Sequence, residues 1–137
     1  MNERYIRQTM IPGIGEAGQE KLKNAKVLIV GIGGLGSPIS LYLTAAGVGQ
    51  IGLIDDDIVS KSNLQRQILY TEAEIGQSKV ECACRRLSAL NSSTRFETYP
   101  NRFTPDNANR LVSAYDIIVD GCDNAATRYL IDDVCSR

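Results

Sequence analysis

Apolar residues in this chain fall into short blocks separated by amphipathic stretches. Val27-Leu28-Ile29-Val30 is a continuous, mostly β-branched run, the pattern of a strand covered on both faces. Residues 51–54 repeat that pattern, and Ile117-Ile118-Val119 predicts a further buried strand. Residues 95–99 alternate as a strand does. Helical spacing fills the gaps. Residues 14–24 predict a weak amphipathic helix with Ala17, Leu22 and Ala25 on one side. Residues 37–46 predict a second, with Pro38 in its first turn and Ile39, Tyr42, Leu43 and Ala46 sharing a face. Gly47-Val48-Gly49 ends it. A third covers 78–90, with Val80, Ala83, Cys84, Leu87 and Leu90 at helical spacing and Asn91 beyond them. Thr104-Pro105 reads as an N-cap followed by proline at the first helical position, opening a helix that runs to Ser113. The tail from Asn124 predicts a last helix. Strands separated by helices pair in parallel through right-handed crossovers. The expected fold is therefore α/β, the first four strands of a doubly wound sheet. No repeat or linker interrupts it, so residues 1–137 form a single domain.

Composition narrows the chemistry. The chain has 137 residues, 43% hydrophobic and 23% charged, an ordinary globular mixture. Its net charge of -1 lacks the basic excess of a nucleic-acid binder. It contains no histidine, which removes imidazole as base, shuttle or metal ligand. The four cysteines, at 82, 84, 122 and 135, include no CxxC pair and read as reduced thiols of a cytoplasmic protein. Residues 27–54 carry no charge and are long enough to span a bilayer, but seven glycines and Pro38 break them into strand, turn, helix, turn and strand. Met1-Asn2-Glu3-Arg4-Tyr5 has no apolar region of a signal peptide.

Between the first strand and the second helix lies Gly31-Ile32-Gly33-Gly34-Leu35-Gly36. Glycine lets a phosphate approach the backbone, and the helix start aims free N–H groups and a positive dipole end at it. Tight strand–helix packing alone is the plainer explanation of the same glycines. Asp55, 19 residues beyond Gly36, closes the second strand where a carboxylate accepts hydrogen bonds from ribose hydroxyls. Asp56 and Asp57 read as cap or turn residues. A nicotinamide-dependent oxidoreductase and an ATP-using enzyme fit equally to this point. Ser62-Asn63-Leu64-Gln65-Arg66-Gln67, then Lys79, then Asp123 and Asn124 follow, all expected at the carboxyl edge of the sheet. A triphosphate needs cations, which Arg66 and Lys79 supply. Its magnesium needs a carboxylate, for which Asp123 is available. A surface salt bridge for Arg66 and a solvated lysine at 79 are the plain alternatives, as is a small packed residue for Cys122.

These residues resemble the ThiF/MoeB/HesA family, bacterial relatives of ubiquitin-activating enzymes. The matching pieces are Arg4-Tyr5-Ile6-Arg7-Gln8, Gly31 to Gly36, Ala46-Gly47-Val48-Gly49, Asp55, Ser62 to Gln67, Gly76-Gln77-Ser78-Lys79 and Asp123-Asn124. Asp55-Asp56-Asp57 with Ala126-Thr127-Arg128 looks slightly closer to the thiamine-pathway branch, ThiF. The resemblance implies a Rossmann-like fold and adenylation of the C-terminal glycine carboxylate of a small ubiquitin-like sulfur carrier, using ATP and magnesium. It implies nucleotide contacts from Gly31, Gly33, Gly34 and Gly36, from Asp55, from Ser62, Asn63, Leu64, Gln65 and Arg66, and from Lys79, Asp123 and Asn124. Arg66, Lys79 and Asp123 would act in catalysis, Asp123 through the metal, and Arg7 by reaching across a homodimer to the other subunit's ATP. A non-catalytic nucleotide-binding partner subunit is the alternative outside enzymes. Family members continue for about a hundred residues more, the length of a full doubly wound domain. The chain thus reads as the N-terminal portion of an adenylation domain. The remainder would carry the carrier-docking surface and, in many members, zinc-binding CxxC pairs and a reactive cysteine.

Overall fold

The two continuous apolar runs become the central strands. β1 (Lys26–Val30) pairs in parallel with β2 (Gln50–Ile54) and with β4 (Ile117–Asp120), while β3 (Arg95–Tyr99) pairs with β2. The order is β3-β2-β1-β4. This computed structural model describes residues 3–5, 8, 10, 15–65, 67, 69–121, 130, 131, 133 and 135. Helix α1 (Gly15–Asn24) precedes β1, and α2 (Gly36–Ala46), α3 (Lys79–Leu90) and α4 (Pro105–Ser113) form the three crossovers. Of the tail expected to be helical from Asn124, residues 130, 131, 133 and 135 are helical, and the rest lies outside the described residues.

Successive side chains of a strand point to opposite faces, and here both faces are covered. Val27 and Ile29 pack with Ile51, Leu53, Val80, Ala83 and Leu87 on one side. Leu28 and Val30 pack with Ile54, Phe103, Ala108 and Leu111 on the other. The fold is accordingly a doubly wound α/β sheet, and the uncharged stretch 27–54 is β1, α2 and β2. None of the described helices is long and apolar enough to cross a membrane. The two predicted helix punctuations hold. Gly47 caps α2 at φ 96°, its N–H returning to the Leu43 and Thr44 carbonyls. Thr104 opens α4 in a capping box, its N–H donating to Asn107 Oδ1 at 2.9 Å.

Four packing expectations are overturned. On α2 the face turned to the sheet is Gly36, Ser37, Ser40 and Thr44, while Tyr42 is 76% exposed and Ile39, Leu43 and Ala46 only half-buried. Small residues let the helix backbone close on β1, and the Ser40 hydroxyl satisfies itself on the Ser37 carbonyl at 2.7 Å. On α3 the buried thiol is Cys82, and Cys84 is half-buried. Ala17 of α1 is exposed, leaving Leu22 and Ala25 to pack. β4 is not a buried strand: it has no neighbour beyond β1 among the described residues, and Ile117 is 54% exposed.

The N-terminal residues dock at the far end of the helices. Asn91 Nδ2 donates to the buried Tyr5 hydroxyl at 2.7 Å, and Arg4 Nη1 to the Leu90 carbonyl at 2.9 Å. The Gln8 and Gln19 side-chain amides both donate to the Ala46 carbonyl, at 3.0 and 2.9 Å. These anchors lie at the C-terminal ends of α2 and α3, on the sheet edge opposite the carboxyl ends of the strands.

Candidate functional site

A cleft of about 680 Å³ opens at the carboxyl ends of the strands. It sits where β4 returns to the opposite side of β1, the switch point at which open parallel sheets bind ligands. Its floor is the glycine loop. Gly31 turns the chain at φ 92°, outside the range L side chains favour, and its N–H donates to the Ile54 carbonyl at 2.9 Å. Gly36 is required by space: a Cβ there would stand 1.9 Å from the Gly31 carbonyl oxygen. Gly33, Gly34 and Leu35 line the cleft. Leu35, the N-cap of α2, makes no side-chain cap, and of the first N–H groups of the helix that of Ser37 donates to the Gly33 carbonyl at 2.9 Å.

Asp55 is tied into this loop. Its Oδ2 accepts the Ile32 N–H at 2.8 Å and its Oδ1 the Asp57 N–H at 2.8 Å. A carboxylate has about four lone-pair sites, so two backbone amides fix its orientation and leave capacity for a ligand's hydroxyls. Lys79, the first residue of α3, is 3% exposed, and its Nζ lies 3.6 Å from Oδ2 of the exposed Asp57. The solvated-lysine alternative is thereby excluded. Asp57 is the partner of a buried cation rather than a simple turn residue, and Asp56 stands 3.6 Å from Arg102 Nε at the rim.

The string after Asp55 divides. Asn63 lines the cleft, its Nδ2 donating to Ser60 Oγ at 2.8 Å. Ser62 and Gln65 are exposed and Leu64 packs against the core, and none of these three lines the cleft. Arg7, Arg66, Cys122, Asp123 and Asn124 lie outside the described residues. Gln67 belonged to the recognised string but not to the expected contacts. It is 4% exposed, lines the cleft beside Gly33, and its buried Oε1 has no hydrogen-bond partner among the described residues. Asn101, Arg102 and Phe103 form a further wall that no motif marks.

The donor set suits a nucleotide: loop amides and a buried ammonium for phosphates, a carboxylate for hydroxyls, and an orphaned buried amide oxygen awaiting a donor. For magnesium, the Asp55, Asp56 and Asp57 carboxylates come within 4.8 Å of one another and offer the hard oxygens that ion takes. All three are already engaged, by backbone amides, Arg102 and Lys79 respectively.

Known proteins resemble this chain in sequence and in fold. The ThiF family pattern matches residues 5–137. The sulfur carrier protein adenylyltransferase of Thermus thermophilus is 50% identical over 131 residues, 96% of this chain and 48% of that protein. Mouse adenylyltransferase and sulfurtransferase MOCS3 is 49% identical over 132 residues, 96% of this chain and 29% of that protein. The chain thus spans about half or less of these relatives' length. Among solved structures, Escherichia coli tRNA N6-threonylcarbamoyladenosine dehydratase TcdA in complex with ATP superposes with a TM-score of 0.92 at 29% identity, covering 98% of this chain and 55% of that one. E. coli MccB with ATP gives 0.86 at 32%, covering 98% and 42%. A family pattern that matches residues 5–137, nearly the whole chain, and half-identical relatives decide the assignment: the chain belongs to the ThiF family.

Proposed function

We propose that this chain is the ATP-binding portion of an adenylyltransferase that activates the C-terminal glycine carboxylate of a small ubiquitin-like sulfur carrier protein. The carrying observation is the buried Lys79 ammonium in one cleft with the glycine loop, the uncapped start of α2 and Asp55. A triphosphate, more heavily charged than the pyrophosphate of a dinucleotide, gives Lys79 and Arg66 a task together. The names of the half-identical relatives support an adenylyltransferase, and the ATP complexes of TcdA and MccB support the nucleotide.

ATP supplies an α-phosphorus that the carrier's carboxylate attacks as pyrophosphate leaves. That nucleophile is ionised at pH 7, so no general base is needed and the missing histidine costs nothing. What the protein contributes is placement and charge neutralisation. In this reading the Gly33 and Gly34 backbone approaches the phosphates, Asn63, Arg66 and Lys79 hold the triphosphate, the two cations neutralising it, and Asp55 takes the ribose hydroxyls. Asp123 would hold magnesium. Arg7 would serve the nucleotide of a neighbouring subunit in a homodimer. Its flanking residues Tyr5 and Gln8 are anchored at the far ends of α3 and α2, and the 11 residues of α2 separate that edge from the glycine loop. That separation, about 16 Å at 1.5 Å per residue, supports the reading that this segment serves a neighbouring subunit. A cytoplasmic location and a thiamine-type carrier complete the proposal.

Thermal unfolding with ATP-magnesium, NAD and AMP tests it. ATP-magnesium at one hundred times its dissociation constant should add about 2.7 kcal/mol, and a larger effect of NAD would overturn the proposal. ATP–pyrophosphate exchange with thiamine-type and molybdopterin-type carriers identifies the acceptor. The chain alone should exchange far more slowly than a full-length relative. Positioning of the two reactants is worth up to roughly 7–11 kcal/mol, and the carrier-docking surface is proposed to lie outside these residues.

A further inference from the structure

Two consecutive peptide groups of the glycine loop are gripped from inside the protein. The Ile32 N–H is held by Asp55 Oδ2 at 2.8 Å. The Ile32 carbonyl is held by the Tyr70 hydroxyl, which donates to it at 2.6 Å in a buried setting. Tyr70 comes from the end of the segment that begins at Asn63: the Gln67 N–H returns to the Asn63 carbonyl at 2.9 Å and the Tyr70 N–H to the Gln67 carbonyl at 3.2 Å. Its ring packs in the same core as Ile32. Burial first, and then the nearby Asp55 carboxylate, raise the phenol far above its ordinary range, so it remains a donor throughout the working pH range.

In a trans peptide the C=O and the following N–H point in opposite directions. The carbonyl of Ile32 points inward at Tyr70, so the N–H of Gly33, in the same plane, points outward, and Gly33 lines the cleft. We infer that Tyr70 is a positioning residue: by holding the Ile32 carbonyl it aims the Gly33 N–H at the phosphate of the bound nucleotide. This deepens the proposed ATP site and rests on it. Tyr70 itself touches no ligand, and its effect is confined to the phosphate end.

The test compares the chain with Tyr70→Phe, which keeps the ring and removes the donor, using magnesium-free ATP and adenosine as probes followed by ligand-observed NMR. The variant should bind ATP about 3- to 10-fold more weakly, the net effect of one hydrogen bond, and adenosine, which has no phosphate, as well as before. Tyr70→His, which retains a ring N–H, should recover part of the ATP loss, and serves also if Tyr70→Phe does not fold. Equal loss of ATP and adenosine would make Tyr70 merely structural and overturn the inference, as would undiminished ATP binding. A parent chain that binds adenosine and ATP equally would instead overturn the ATP reading, and this inference with it.

Discussion

Lys79 combines two liabilities for stability, burial and charge, with a single long contact to Asp57 at 3.6 Å. Replacing a buried ion pair by apolar residues is often neutral or stabilising, and because Asp57 is exposed, removing Lys79 strands no buried charge. Lys79→Met is therefore expected to leave the urea midpoint unchanged or raise it, while weakening ATP at least tenfold by isothermal titration. Asp55 behaves in the opposite sense. Its carboxylate satisfies the Ile32 and Asp57 amides, so Asp55→Ala should cost about 1–3 kcal/mol of unfolding free energy. It should weaken both ATP and 2′,3′-dideoxy-ATP, ATP by more, because loop order is lost along with the proposed ribose contact. Both residues were legible from type and order along the chain. Their environment was not: no sequence mark discloses the burial of Lys79 or the bridge between Ile58 and Ser78 just before it. Gln67 was missed for a related reason, since a glutamine discloses its unsatisfied oxygen only once it is buried.

Helices and strands emerged from periodicity almost residue for residue, because covered parallel strands and capped helices leave strong local signals, such as Thr104-Pro105 and Gly47. The face of α2 did not. Periodicity equates apolar with inward, whereas close approach to β1 selects small side chains whatever their polarity. Ser40→Leu should therefore destabilise by about 1–3 kcal/mol through overpacking, and Tyr42→Ser should fall within about 0.5 kcal/mol of the parent, both read from denaturant curves. The turn Glu72–Glu74 that leads into α3 has its own titration. Burial pushes Glu74 up, but hydrogen bonds from the Thr71 N–H, Cys82, the Thr71 hydroxyl and Arg85 outweigh it and leave the carboxyl below its ordinary 4.5. A depressed carboxylate stabilises the fold above its unfolded value and loses that contribution as pH falls through the folded one. Glu74→Gln should cost about 1 kcal/mol at pH 7, a gap that closes on acidification below 4.5 in pH-dependent melting.

Across the whole molecule, the parallel topology followed from the alternation of strands and helices, and the placement of the cleft from the rule that open parallel sheets bind ligands at the carboxyl ends of their strands. The character of the sheet edges did not, since a strand's neighbours are a property of the assembled sheet. β3 guards its outer side with the exposed charges of Arg95 and Glu97, whereas β4 presents Ile117. Charged residues on an edge strand discourage pairing with another chain. Ile117→Lys is expected to lower the fraction of species above dimer in sedimentation velocity at high protein concentration, with little change in melting temperature.

The contact between Gly36 and the Gly31 carbonyl has a consequence for lineage. A methyl group at 36 would collide with backbone whether or not any nucleotide were bound. A descendant that abandoned ATP would still be held to its glycines by its own main chain, a steric inheritance indifferent to use. On the proposed reading Lys79 enjoys no such protection, because its burial is a burden that nucleotide binding alone would repay. Decay of function in this lineage should therefore erase the lysine first and the glycines last, and a homologue with an intact loop but methionine at 79 would be a fossil of the site rather than a working copy.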